Sequence, residues 1–376
     1  MAAELSRLAR RVGLGGSYGE PRKVGPGALR MAFSPPLARL CVLYHRTCSR
    51  VLWDLYGSRA PRLEPLYEDL RALISAETRG YLRDDFSLSV GVRGAEHFPA
   101  GERQIVGTVK NALIDGARER GVRLRVDPQS PDQSFIVQID ADGQVTVSLD
   151  LGGRPMNQRG YRVTGAVAPL RENLAAQLVM LARHDPRNEI LIDPLAGTGT
   201  IAIEAACLAQ GLPVWTADRV PTGLSVPELA AAGTGTAVAL FPDTQALIFA
   251  NELDADRAAL ITTHSERAYV RAQVRVRSGD FRDWSPAHIK QTCSDHGKTT
   301  DRGLIVTNPP YGERLADPAL RSLYNDFASF CRSFPGFRVA VLVANPDFEQ
   351  SFGMRPRIKK PVSNGPLRGH FLLYDM

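Results

Sequence analysis

Residues 308–311 read Asn-Pro-Pro-Tyr, directly after the apolar run Gly-Leu-Ile-Val-Thr of residues 303–307. Two consecutive prolines lack the N–H donors that a strand needs, so the ladder must end there in a rigid turn. Such a turn can present an amide and an aromatic ring at the carboxyl edge of a sheet. The chemistry this suits is alkylation of an exocyclic amine on a nucleobase. That nitrogen is a poor nucleophile, because its lone pair is delocalised into the ring. Asn308 Oδ1 and the Pro309 carbonyl can accept both amine hydrogens and so favour a tetrahedral nitrogen. Tyr311 can stack on a base that has left its helix or comes from an unpaired loop, with Pro310 among the substrate contacts. Most of the rate gain would come from aligning the amine with its methyl donor. No general base is needed before transfer, because the protonated product amine is very acidic, and the chemistry needs no metal.

A donor site must therefore lie nearby. The pentapeptide Ala-Gly-Thr-Gly-Thr occurs twice, at 196–200 and 232–236. A glycine loop that holds a nucleoside-type ligand needs a strand before it and a helix after it, so that backbone can approach the ligand and the helix N-terminus can offer free N–H groups. The first copy meets this: Glu-Ile-Leu-Ile-Asp (189–193) precedes it and an apolar helical pattern follows. The second sits in a Pro/Gly/Ala-rich stretch, 212–245, with no strand before it, and is expected to be a loop of an insertion. Asp193, Ala196, Gly197 and Gly199 form a D-x-x-x-G-x-G pattern, distinct from dinucleotide and Walker loops. Glu252, closing the next strand, can grip a ribose diol, with Asp254 as a second candidate. Asp280, closing the third, can accept from an adenine amino group. This order of elements points to S-adenosylmethionine.

The surroundings alternate. From residue 168 onward helical and strand patterns follow one another, which predicts an α/β, doubly wound, mostly parallel sheet with ligands at its carboxyl edge. Before residue 150 the pattern differs. Helices are expected at 65–82 and 105–121, a strand at 86–94, and a hairpin at 135–153 turning on Asp142-Gly143. This reads as a small α+β domain. Between the halves, residues 153–168 read as a linker whose Arg159, Tyr161 and Arg162 suit contact with RNA.

The chain of 376 residues carries a formal net charge of +6. Residues 1–60 hold ten Lys/Arg against three Asp/Glu, residues 61–150 eleven against fifteen. The positive charge is thus concentrated at the start, which suits a polyanion. Five cysteines with no Cys-x-x-Cys spacing favour reduced thiols over disulfides or zinc. No histidine pair has ligand spacing, so no metal is expected. The absence of a 20-residue apolar run and of a leader pattern leads us to expect a cytoplasmic protein, a monomer, with no membrane partner.

Together the motifs resemble the THUMP-domain class I RNA methyltransferases that make N2-methylguanosine, most of all the bacterial subgroup acting on large-subunit ribosomal RNA. The resemblance is carried by RGYRVTGAVAPLRENLAA (159–176), LIDPLAGTGTIAIEAA (191–206), ANELD (250–254), SGDF (278–281) and NPPYGERL (308–315). It extends over nearly the whole chain: residues 37–55 resemble the helix between a ferredoxin-like start and the THUMP domain, and Val109, Lys110, Ala112, Leu113 and Asp115 resemble a THUMP helix. The resemblance implies a Rossmann-like class I methyltransferase domain at 169–376, a THUMP-like RNA-binding domain at 61–152 and an abbreviated ferredoxin-like subdomain at 1–60. It implies that Asp193, Gly197, Gly199, Glu252 and Asp280 bind S-adenosylmethionine, and that Asn308, Pro309 and Tyr311 hold the target guanine. The glycine loop reads Pro-Leu-Ala-Gly-Thr-Gly where the family usually has Pro-Met-Cys-Gly-Ser-Gly, a conservative departure. The partner would be RNA, ribosomal or transfer. Adenine-N6 methylation of DNA and a non-catalytic RNA-binding assembly factor are the competing readings; Asn308 and the intact glycine loop argue against the second.

Overall fold

The computed structural model describes residues 1–16, 19–25, 27–163, 170–216, 219–233, 238–311, 318–364 and 367–376. Residues 164–168 of the expected linker, 234–236 of the second glycine pentapeptide, and 312–315 after the Asn-Pro-Pro-Tyr turn lie outside them. The chain divides into two compact units: Met1–Gln158 with Ala217–Ala237, and Arg159–Thr216 with Val238–Met376.

The first unit opens with α1 (Ala2–Arg11), a small hairpin of β1 (Arg22–Gly25) and β2 (Ala28–Arg30), and α2 (Pro35–Tyr44). Then come β3 (Leu52–Ser58), α3 (Leu63–Ser75), β4 (Ser87–Arg93), α4 (Glu102–Glu119), β5 (Arg125–Val126), β6 (Gln133–Ile139) and β7 (Val145–Asp150). The sheet order is β3-β7-β6-β4-β5. The single helix implied at 37–55 is corrected: helix ends at Tyr44, and Leu52–Ser58 pairs with β7 as a strand. Trp53, 4% exposed, explains the choice, since it stacks edge-on against Tyr81 inside the core. The β6–β7 turn is built as its sequence predicts. Gly143 has φ +74°, and Asp140 Oδ1 accepts from the N–H groups of Asp142 and Gln144.

The second unit begins with α5 (Glu172–Leu181), β8 (Ile190–Asp193) and α6 (Thr200–Gln210). The chain then leaves it. Within the 212–245 stretch expected as an insertion loop, residues 219–233 include a short helix, α7 (Pro227–Ala231), and complete the core of the first unit. Val226 and Leu229 are 1% and 0% exposed there. Gly223 N–H donates to Leu151 O at 2.7 Å, and Arg39 Nη1 donates to Leu229 O at 3.2 Å. A Cβ on Gly223 would lie 2.6 Å from Leu151 O, so only glycine fits this seam.

Back in the second unit follow β9 (Ile248–Glu252), α8 (Ala255–Arg267), β10 (Val274–Ser278), α9 (Pro286–Asp295) and β11 (Gly303–Thr307). The last elements are α10 (Pro318–Arg332), β12 (Arg338–Val343), α11 (Asp347–Phe352), β13 (Ile358–Asn364) and β14 (Leu367–Asp375). The seven strands run β10-β9-β8-β11-β12-β14-β13. The first five are mutually parallel, and β14 is antiparallel to both neighbours. All four residues of β8 are buried, because helices cover both faces of the sheet. One face packs α5, α6 and α8 around residues such as Leu178, Ile203 and Ile261; the other packs Phe327, Phe330, Phe348 and Phe352. The strand order reverses between β8 and β11, and this switch point is where such sheets open a crevice at their carboxyl ends.

Candidate active site

The loop after β8 shows why its two glycines are needed. Gly197 and Gly199 have φ of +57° and +84°, a region that favours glycine. A Cβ on Gly199 would lie 2.6 Å from Ile261 Cγ2, so this glycine lets the loop sit on α8. A Cβ on Gly197 would meet no atom within 4 Å among the described residues. The backbone there faces an open cradle, which fits a ligand that must approach closely, and the first N–H groups of α6 point into its neighbourhood.

Glu252 reaches the same place. Its Oε2 accepts from Gly197 N–H at 2.8 Å and its Oε1 from Asp254 N–H at 3.2 Å. The strand-end acid and the glycine loop, 55 residues apart in sequence, are thus joined. Ala196 is buried, and its N–H donates to Asn251 O at 2.9 Å. Asn251 is a residue the motif reading missed. Its Nδ2 donates to Pro194 O and Gly279 O at 3.1 and 3.0 Å, and its Oδ1 accepts from Arg277 Nη1 at 2.5 Å. One side chain therefore ties the ends of β8, β9 and β10. The signal was present as an amide inside an apolar strand, where a buried polar group must find partners. His264 on α8 was missed as well. Thr198 O lies 3.1 Å from Nδ1 and can only accept; Val163 N–H lies 3.2 Å from Nε2 and can only donate. The ring is therefore neutral with its proton on Nδ1. Burial, with Arg162 and Arg267 nearby, holds its pKa below the usual histidine value, against the bond to Thr198.

Asp193 closes β8 and is 1% exposed. Burial pushes its carboxyl up to about 7; the Thr307 hydroxyl and Leu195 N–H oppose the shift, and the Glu252 carboxylate adds to it. In the unfolded chain an aspartate titrates near ~3.9. The folded protein therefore binds the extra proton between those values, and Asp193 contributes stability below pH ~4 that is lost as pH rises through about 7. The thermal midpoint of Asp193→Asn minus that of wild type should increase between pH 5 and pH 8, measured by calorimetry. A difference that stays constant with pH would contradict the raised pKa.

Asp280 stands at the end of β10, but its carboxylate is partly engaged. It accepts from Arg282 N–H at 2.9 Å and pairs with Arg282 Nη1 at 2.7 Å, while Arg282 Nε reaches Asp326 at 2.8 Å. The Arg282 amide and guanidinium hold the Asp280 carboxyl below its ordinary value.

Across the switch point stands the Asn-Pro-Pro-Tyr turn. Ile192 is level with Ile305, so Asp193 is level with Val306 and Asn308 projects two residues, roughly 6–7 Å, beyond it on the adjacent strand. Asn308 is half-buried, Pro309 buried and Pro310 exposed. The Tyr324 hydroxyl, from α10, donates to Pro310 O at 2.7 Å. Asn345 Nδ2 donates to Tyr311 O at 3.1 Å, and Asn345 Oδ1 accepts from Asp347 N–H at 2.9 Å. The turn is therefore held from two further elements. Neither Tyr324 nor Asn345 was marked by sequence, since each acts on backbone carbonyls. The Tyr311 hydroxyl donates to Asn308 Oδ1, so the acceptor expected to face a substrate amine already has a partner. Burial pushes the Tyr311 hydroxyl up to about 12, with the bond to Asn308 opposing it.

The expected RNA contacts at Arg159, Tyr161 and Arg162 are corrected. Arg159 and Tyr161 are each 1% exposed and meet Glu204 of α6, with Nε 3.4 Å and the hydroxyl 3.3 Å from Oε1. A helix buried on nearly every side carries one carboxylate, Glu204, which requires such partners. Arg162 Nη2 donates to Leu170 O at 2.5 Å and to Thr200 Oγ1 at 2.8 Å, and its Nε pairs with Glu172 at 3.2 Å. These groups brace the start of α6 from inside. Among the described residues no cluster of three His, Cys, Asp or Glu could hold a metal ion, and no helix is long and apolar enough to cross a membrane.

A seven-stranded sheet of this order, with a glycine loop after its central strand and a proline turn after the next, defines the Rossmann-like class I methyltransferase fold. The chain belongs to the UPF0020 family, an RMKL-like methyltransferase domain, which matches residues 159–372. Curated relatives named "Ribosomal RNA large subunit methyltransferase K/L" include those of Syntrophotalea carbinolica, 33% identical over 93% of this chain and 48% of the relative, and Pseudomonas aeruginosa, 31% identical over 94% and 48%. The chain thus spans about half the length of these relatives. Among solved structures, a predicted N6-adenine-specific DNA methylase from Listeria monocytogenes aligns with a TM-score of 0.76 at 23% identity, covering 99% of this chain and 93% of that one. TrmN from Thermus thermophilus aligns with a TM-score of 0.61 at 22%, covering 87% and 83%. At such identities these structures speak for the fold alone.

Proposed function

We propose that the chain is an S-adenosylmethionine-dependent RNA methyltransferase acting on the exocyclic N2 amine of a guanosine in large-subunit ribosomal RNA. The carrying observation is the pairing of two edges: an open glycine cradle with Glu252 on one side of the switch point, and the Asn-Pro-Pro-Tyr turn on the adjacent strand. The relatives named for large-subunit ribosomal RNA support that substrate.

When bound, S-adenosylmethionine supplies an electrophilic methyl on a sulfonium. Gly197 would let backbone lie against it while Gly199 seats the loop on α8, Glu252 would accept from its ribose hydroxyls, and Asp280 would serve its adenine amine from whatever acceptor capacity Arg282 leaves. Asp193 closes the crevice floor. On the other side Asn308 Oδ1 and the Pro309 carbonyl accept the hydrogens of the target amine, and the Tyr311 ring stacks on the base once its hydroxyl has released Asn308. The amine is thereby aimed along the methyl–sulfur axis, which is the main source of rate. The first unit, in this reading, is the THUMP-like and ferredoxin-like module that captures RNA.

Glu252→Ala should weaken binding of S-adenosylhomocysteine by about 1.5–3 kcal/mol, the cost of a charge-assisted bond, because both the diol contact and the tether on Gly197 are lost. Titration calorimetry reads this directly; an unaltered Kd would remove Glu252 from the site. The function itself is tested by incubating the purified chain with labelled cofactor and unmodified large-subunit ribosomal RNA, transfer RNA or DNA, followed by nucleoside mass spectrometry. N2-methylguanosine in ribosomal RNA is the expected product. N6-methyladenine in DNA, or label in transfer RNA alone, would refute the assignment.

A further inference from the structure

The backbone donors of the loop after β8 are engaged one by one, with a single exception. Ala196 N–H donates to Asn251 O, Gly197 N–H to Glu252 Oε2, and Gly199 N–H to Ala196 O. Between them Thr198 N–H has no partner among the described residues. It is the donor left for a ligand, and it belongs to the peptide next to Gly197, where the cradle is open. Glycines with φ of +57° and +84° flank Thr198, so little in the backbone itself resists a turn of this peptide. Two side chains supply the resistance. Glu252 holds the peptide before it through Gly197 N–H, and His264 holds the peptide after it through Thr198 O at 3.1 Å.

His264 stands three residues after Ile261, the side chain on which Gly199 rests, and residues so spaced share one face of α8. The helix thus meets the loop with one apolar and one polar contact. The ring is fully buried, and its other nitrogen accepts from Val163 N–H at 3.2 Å. Arg162, one residue earlier, donates to Thr200 Oγ1 at the first residue of α6. Residues 162 and 163 therefore reach the loop on both sides of Gly199. Both partners of His264 are backbone atoms, so packing alone gives no reason for a polar ring. A leucine would fill the space and leave that carbonyl and that N–H without partners.

Resting on the placement of the methyl donor at this loop, we propose that His264 is a positioning residue for its binding. The neutral ring ties Thr198 to the 162–163 segment and so keeps the Thr198 N–H available to an acceptor oxygen of the methyl donor. Arg162, expected to touch RNA, serves the cofactor side of the reaction with it.

Titration calorimetry with S-adenosylhomocysteine compares the wild-type full chain with His264→Leu and His264→Gln. The leucine variant should bind roughly tenfold more weakly, because a bond is lost and its partners are left unpaired. Glutamine, whose amide offers both a donor and an acceptor and stays neutral, should recover most of that loss. At saturating S-adenosylmethionine the single-turnover rate of the leucine variant on ribosomal RNA should stay within about threefold of wild type, since the lost interaction serves binding and not the transfer step. Wild type supplies a second reading that no misfolded variant can spoil. A ligand that depends on the bond from His264 to Thr198 must strengthen it in return. S-adenosylhomocysteine should therefore slow solvent exchange of the His264 Nδ1 proton, followed by NMR of isotope-labelled histidine. Leucine-variant affinity equal to wild type, a glutamine no better than leucine, a rate lost even at saturation, or an exchange rate that ignores the ligand overturns the inference. A wild-type chain that binds no S-adenosylhomocysteine overturns the placement of the methyl donor instead.

Discussion

Asn308→Ala should reduce methyl transfer by at least about 10²–10³-fold while leaving the affinity for S-adenosylhomocysteine where it is. The magnitude follows from what removal of one preorganised polar partner costs in other active sites. The cofactor cradle is unaffected because its contacts come from the ends of β8, β9 and β10. The structure adds a companion that sequence alone did not suggest. Because the Tyr311 hydroxyl donates to Asn308 Oδ1, Tyr311→Phe keeps the ring for stacking and frees the acceptor. That variant should stay within about tenfold of wild type, since it loses one neutral hydrogen bond worth ~1 kcal/mol. Single-turnover rates on ribosomal RNA separate the two. Asn308→Ala with near-normal turnover would strip the turn of its chemical role.

A fragment of residues 159–376 should aggregate, whereas the same fragment with 217–237 replaced by a short Gly/Ser linker should stay soluble and bind S-adenosylhomocysteine. The reason is the ownership of α7. Val226 and Leu229 are buried in the core of the first unit. Cutting the chain at the 158/159 boundary strands both in water, each about 1.5–3 kcal/mol more favourable when buried against another apolar surface. It also leaves an apolar surface that favours association. Light scattering and calorimetry check the pair of fragments. If the uncut 217–237 segment makes no difference to solubility or binding, the assignment of this segment to the first core is wrong.

What could be read from residues, and what could not, follows one physical division. The buried strands Ile190–Asp193, Ile248–Glu252 and Gly303–Thr307 are short apolar runs ending in a polar residue, and such runs show in sequence because burial on both faces leaves no choice of side chain. The glycine loop, Glu252 and the Asn-Pro-Pro-Tyr turn were visible for the same reason, each being a local departure from an apolar run. Asn251, His264, Tyr324 and Asn345 were not, because they act across distance on backbone groups and carry no local pattern. Arg159 and Tyr161 misled in the opposite way. Arginine next to tyrosine in a glycine-rich stretch reads as a nucleic-acid surface, and only the fold reveals that Glu204 needs them inside. Strand β13 was missed because Lys359, Lys360 and Pro361 break the apolar alternation on a sheet edge, where ladder and solvent compete. The twin pentapeptides are separated by context: the first lies on the switch point, while the described part of the second, Ala232 and Gly233, belongs to the first unit.

The path of residues 217–237 also bears on how the protein is made. When Gln158 leaves the ribosome, the first core still lacks Val226 and Leu229. At about 5–20 residues per second, the roughly 70 residues to Leu229 take on the order of 4–14 s. During that interval β8 and α6 have been synthesised but their sheet neighbours β9 and β11 have not. The first unit must wait with an uncovered apolar patch while α6, an apolar helix of the second unit, also lacks its partners. The same threading constrains inheritance. A single genetic crossover at the 158/159 boundary would split a hydrophobic core, so the two units can be exchanged between relatives only by three coordinated joins, at 158/159, 216/217 and 237/238.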